Sequence, residues 1–148
     1  MIDPARVLAL AAVLCGAAIA SLAWTVSRFD PMSPDRLIGE LRLARWAAVL
    51  LAAVGAISIG LALDHPGITG NTDIALGVMF VGAAGLVLQR EPREGLLFAA
   101  LAFIAHALVN LAHRPGWLSP EVIPHWYAVG CAVYDIFLAA LCYRARRR

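Results

Sequence analysis

Five long apolar stretches, each closed off by charge, glycine or proline, dominate this sequence and leave it few folds to choose from. They are read at residues 7–27, 46–63, 73–89, 95–113 and 125–143. At about 1.5 Å of rise per residue, each makes a helix of roughly 25 to 32 Å, close to a hydrocarbon core of about 30 Å. A helix also satisfies its backbone polar groups internally, as lipid requires. The expected fold is an all-α integral membrane protein, a five-transmembrane-helix bundle filling residues 1–148 as one domain. Composition agrees, because 61% hydrophobic and 15% charged residues are too apolar a mixture for a soluble domain.

The boundaries carry their own chemistry. Asp3-Pro4, Ser33-Pro34-Asp35 and Ser119-Pro120-Glu121 each place a capping oxygen before a proline suited to a first helical turn, and Asn71-Thr72-Asp73 offers caps without one. Between the third and fourth stretches, Arg90-Glu91-Pro92-Arg93-Glu94 reads as a tight surface hairpin. Residues 34–45 read as an amphipathic cytoplasmic turn, with Leu37, Ile38 and Leu41 on its apolar side. Ala18-Ile19-Ala20 resembles a signal cleavage site, but Asp3 and a single Arg6 make a weak positive leader, so the first stretch is expected to remain a helix.

Arginine placement predicts direction. With the C-terminus inside, Arg28, Arg36, Arg42, Arg45, Arg90, Arg93, Arg144, Arg146, Arg147 and Arg148 fall on the cytoplasmic side, and only Arg6 and Arg114 fall outside. That asymmetry is what the positive-inside rule expects of a bacterial inner-membrane protein with its N-terminus outside and its C-terminus cytoplasmic. Trp24 and Trp46 then mark one interface, and Trp117 and Trp126 the other. Small residues recur at four-residue spacing at Ala12, Gly16 and Ala20 and again at Ala52, Ala56 and Gly60, predicting close packing of the first two helices. Gly77, Gly82 and Gly85 are expected to thin the third helix against a neighbour.

The polar residues that interrupt the apolar stretches are the candidates for chemistry. All four histidines fall in the outer half of this topology, and His106, Asn110 and His113 share one face of the fourth helix. In the fifth, Tyr127, Cys131 and Asp135 repeat every four residues, with Tyr134 beside them. Asp135 lies about 15 Å along its helix and His106 about 10 Å along the preceding one, within reach of each other. An ionisable group at such depth needs a partner. His106 and Asp135 are thus the candidate intramembrane polar pair, serving as a proton relay, as part of a pocket for a polar head group or quinone-like ligand, or as an interhelical hydrogen bond. Asn110, Tyr127 and Tyr134 are candidate ligand-binding groups.

Asp64, His65, Asp73, His113 and His125 sit near loop ends at the outer surface, where they can either converge on a divalent metal or simply be solvated. No H-E-x-x-H or H-x-H spacing selects among them. A haem b held by His113 with His125 or His65 is a further possibility. Cys15, Cys131 and Cys142 form no C-x-x-C pair, which argues against a disulfide framework and against thiol oxidoreductase chemistry.

No phosphate-binding loop, nucleophile elbow or nucleic-acid signature is present. The leading functional expectation is a small accessory or interaction subunit of a bacterial inner-membrane assembly, its partners being membrane lipids and other membrane subunits or further copies of itself. The alternative is a redox, metal or haem, or small-ligand-binding membrane enzyme with an outward-facing His/Asp pocket. A transporter is the third.

Overall fold

The computed structural model describes residues 4–113, 117–118 and 120–147. They form five helices, α1 (Pro4–Val26), α2 (Pro34–Ala62), α3 (Ile68–Leu88), α4 (Pro92–Ala112) and α5 (His125–Arg147), with no strand among the described residues. All five are long and apolar enough to cross a membrane. The central element is α2, which touches each of the other four, whereas α1 packs only on α2 and α5.

The predicted stretches match these helices, with differences at their ends. The Ser33 cap forms as expected: its hydroxyl accepts from the Arg36 backbone N–H at 3.2 Å, with Pro34 in the first turn. Residues 34–45 are the first turns of the continuous α2. Their polarity is inverted relative to a surface helix, for Arg36, Glu40 and Leu43 are buried while Leu37, Ile38 and Leu41 are exposed. The third helix starts at Ile68, before the Asn71-Thr72-Asp73 caps. Gly67 precedes it at φ 107°, a left-handed backbone suited to glycine, and its carbonyl accepts from Asn71 N–H at 3.1 Å. At the start of α5 the Pro124 carbonyl accepts from Tyr127 and Ala128 N–H. Helix thus begins five residues after Pro120, and the Asp3 and Ser119 caps lie outside the described residues.

Helix packing corrects the small-residue prediction. The closest approach of one helix backbone to another joins α2 to α3, where a Cβ on Gly55 would meet the Gly77 carbonyl oxygen at 2.8 Å, while α1 meets α2 closely at Gly39, whose Cβ would stand 2.6 Å from Val26 Cγ2. Gly16 faces Tyr134 and Phe137 of α5, and Ala56 and Gly60 are exposed. Gly77 thins α3 as expected, but a Cβ on Gly82 or Gly85 would meet nothing within 4 Å.

Two ends of the bundle are tied by buried polar contacts. At the arginine-rich end, Glu40 accepts from Arg36 Nε at 2.8 Å and from Arg93 Nε at 3.0 Å. Arg36 also donates to the Ala145 carbonyl of α5 at 3.2 Å, and Arg93 to the Pro31 carbonyl at 3.3 Å. This links α2, α4, α5 and the α1–α2 turn. At the opposite end, His113 Nε2 lies 3.1 Å from Asp73 Oδ1 and joins α4 to α3. Between these ends Leu51, Leu96, Phe103 and Leu138 fill the core, while Leu10, Leu14, Met79, Leu108 and Val133 face outward.

Candidate functional site

The register of α4 against α5 brings His106 and Asp135 together inside the apolar core. His106 Nδ1 lies 2.7 Å from Asp135 Oδ2, and both side chains are at most 2% exposed. Four-residue spacing then places Cys131 one turn before Asp135 and Asn110 one turn after His106. Cys131 Sγ is 3.7 Å from Asp135 Oδ2 and 3.9 Å from His106 Nδ1. Asn110 Nδ2 donates to the His106 carbonyl at 3.0 Å and lies 3.2 Å from Nδ1.

The far side of the imidazole meets α2 and α3. Ser58 of α2 donates its hydroxyl hydrogen to the Val54 carbonyl at 3.0 Å, leaving its oxygen 3.5 Å from His106 Nε2. The 2.7 Å contact between Nδ1 and Asp135 is one that a shared proton or a bound cation satisfies. The ring of Phe80 closes edge-on against His106, with centroids 4.7 Å apart.

Two buried oxygens of this centre have no hydrogen-bond partner, Asp135 Oδ1 and Asn110 Oδ1. Orphaned acceptors in an apolar core are costly, on the order of 1–3 kcal/mol each, and mark a place where a cation or donor belongs. Among the described residues, His106, Cys131 and Asp135 are the one group able to hold a metal, their donor atoms all lying within 4.8 Å of one another.

A cavity of ≈ 10 Å³, about the size of one water, lies against His106 and Asn110 and is lined also by Ser58, Phe80 and Asp73. The Asp73–His113 pair stands beside it. The His113 ring bridges two elements, with Nδ1 2.9 Å from Val109 O and Nε2 3.1 Å from Asp73 Oδ1.

The structure thus joins the predicted pair His106 and Asp135 and places Asn110 beside it. Tyr127 and Tyr134 line a separate groove. The predicted outer metal set does not assemble. Of its members only Asp73 and His113 meet; His65 Nδ1 donates to its own Leu61 carbonyl at 3.3 Å, and Asp64 and His125 are exposed. His113, named for a haem pair with His125 or His65, contacts Val109 and Asp73.

Sequence reasoning missed Cys131 as a member of the site, although its spacing to Asp135 was the available signal. Ser58 carried no signal, since a hydroxyl in an apolar helix usually bonds its own backbone. No protein-family model, curated protein or solved structure matches the chain.

Proposed function

We propose that the chain is a multi-pass protein of the bacterial inner membrane, N-terminus outside and C-terminus cytoplasmic, that binds a zinc-like divalent metal at His106, Cys131 and Asp135. The observation that carries this reading is the convergence of nitrogen, sulfur and oxygen donors around two orphaned oxygens in a closed apolar core.

Charge favours a divalent ion. A thiolate and a carboxylate carry two negative charges, so a dication leaves the core with no net charge, the least costly state in a low-dielectric interior. Imidazole with thiolate suits zinc among the common ions. A tetrahedral zinc with bonds of about 2.0–2.3 Å sets its donors roughly 3.3–3.6 Å apart. The 3.7 and 3.9 Å sulfur contacts are near that range, and the 2.7 Å His106–Asp135 contact is the distance of a shared proton. Metal uptake would accordingly replace two protons, the one shared by His106 and Asp135 and the one on the Cys131 thiol, so affinity falls as pH is lowered. His106 binds through Nδ1 while Ser58 holds Nε2–H, the outer hydrogen bond that orients a ligating imidazole. Three protein donors would leave room for a further ligand, with Asn110 beside His106. A site of this kind polarises a bound water or small ligand.

Elemental analysis of protein purified in detergent without chelator tests the reading. Wild type is expected to hold about one zinc per chain and Cys131→Ser almost none; a folded, metal-free wild type that takes up no added zinc overturns it. Orientation is tested separately with C-terminal fusions: a fluorescent cytoplasmic reporter and an inactive periplasmic phosphatase are expected, and the reverse result refutes the topology.

A second reading, the accessory subunit, is supported by short loops and by the sparse cover on α1, of whose span 17% is buried against 50% in α4. Affinity capture from native membranes tests it: a stoichiometric membrane partner supports it, and a monodisperse monomer without partners contradicts it.

A further inference from the structure

Of the three donors at the metal centre, Cys131 is the one whose bound form is hardest to keep in an apolar core. A metal-bound sulfur is a thiolate, and it keeps lone pairs beyond the one given to the metal. In a buried site those pairs need a hydrogen-bond donor facing them. Backbone N–H groups cannot serve, because Cys131 lies inside α5, where each is spent on the carbonyl four residues back. The donor has to be a side chain.

Tyr127 stands where such a donor is needed. It precedes Cys131 by four residues on the same face of α5 and is buried. Its hydroxyl lies beside the Cys131 sulfur, with Asp135 the next group it senses. That hydroxyl has no hydrogen-bond partner of ordinary geometry, an orphaned donor next to the one atom that becomes a strong acceptor when metal binds. The Cys131 thiol meanwhile donates to Asp135 Oδ2 at 3.7 Å, which leaves the sulfur free to accept from the other side. The phenol is held in place as well: Tyr127 N–H donates to the Pro124 carbonyl at 2.9 Å, and its ring meets Trp126 edge-on with centroids 5.9 Å apart.

We propose that Tyr127 is a positioning residue of the metal centre, its hydroxyl donating to the Cys131 thiolate. The inference rests on the zinc reading above. As metal binds, the thiol proton leaves to solvent and its electron pair goes to the metal; the Tyr127 O–H stays intact and turns toward a remaining pair. Imidazole and sulfur then each carry their own outer hydrogen bond, from Ser58 of α2 and from Tyr127 of α5, the arrangement that orients ligands and tunes a bound metal.

The test titrates cobalt(II) into detergent-purified, metal-stripped wild type, Tyr127→Phe and Tyr134→Phe. Tyr134 is the control, since its ring packs on α1 at Gly16. Tyr127→Phe is expected to bind about one ion per chain, roughly 10-fold more weakly, the usual cost of losing an outer-shell partner. Its thiolate-to-cobalt band should also move to longer wavelength, because a sulfur without its donor gives up an electron more readily. Tyr134→Phe should match wild type in both respects. Replacing all three tyrosines biosynthetically with fluorotyrosine, a stronger donor, should move the band of the otherwise unaltered protein to shorter wavelength. A band that stays in place in Tyr127→Phe, even with weaker binding, reduces Tyr127 to a packing role and overturns the proposal. An equal shift in Tyr134→Phe, or none with fluorotyrosine, overturns it too. Absence of the band from wild type instead removes the metal centre itself, so the two failures are told apart.

Discussion

His106 and Asp135, 29 residues apart in sequence, meet at 2.7 Å between α4 and α5 and form the polar centre of an otherwise apolar bundle. Neither side chain reaches solvent. The contact therefore has to be satisfied from within, by a proton, a metal or each other.

Removing one partner leaves the other stranded. Asp135→Leu is expected to cost on the order of 3–5 kcal/mol of stability, the usual penalty for breaking a buried pair. Adding His106→Leu should cost less than the second single change predicts, with a coupling of at least about 1 kcal/mol. Reversible unfolding in mixed micelles measures all three variants, and strictly additive costs would show that the two groups do not act as a unit.

Glu40 is the hinge of the arginine-rich end. It is 1% exposed and serves Arg36, itself buried, together with Arg93, which is 52% exposed. Glu40→Gln or Arg36→Met should each lower stability by about 3–5 kcal/mol, and Arg93→Met by no more than about 1 kcal/mol after solvent screening. The same unfolding assay separates these cases, and an equal loss at Arg36 and Arg93 contradicts the hierarchy.

The two glycines of α3 should differ sharply. Gly77→Leu forces a side chain against Ile59 and the Gly55 carbonyl and is expected to cost roughly 1–3 kcal/mol or more. Gly82→Leu enters open space and should change stability by less than about 0.5 kcal/mol. Thermal unfolding of the two variants decides the point.

These glycines also show what a sequence of this kind reveals. The helices and their order are legible because apolar runs and prolines act locally, and the inward face of α4 is legible because His106, Asn110 and His113 obey one helical period. Which helix each face meets depends on bundle order, a long-range property. The Ala52, Ala56 and Gly60 spacing resembled a contact face, yet Ala56 and Gly60 are exposed and the close approach falls one residue away, at Gly55. Arg36 was counted for its charge and proved to be buried against Glu40, because an ion pair four residues apart in the first turns of α2 is invisible until α4 and α5 cover it. The loop-end histidines failed as a set for the same reason: His113 is claimed by Asp73 and its own helix.

Asp73, the partner of His113, lines the small cavity that His106 and Asn110 also line. His113→Ala frees the Asp73 side chain beside His106, so a chelator should strip bound zinc several-fold faster while the metal content before treatment stays unchanged. Metal release followed with a chromogenic chelator measures the rate, and identical kinetics in the variant would contradict that link.

The most direct measurement is the absorption spectrum of the detergent-purified, metal-stripped protein titrated with cobalt(II), which takes the place of zinc and reports on its ligands. A near-ultraviolet thiolate-to-cobalt band that saturates at about one ion per chain is expected. It should vanish in Cys131→Ser and persist in Asp73→Asn. A folded wild-type protein that shows no such band at saturating cobalt would contradict the metal centre.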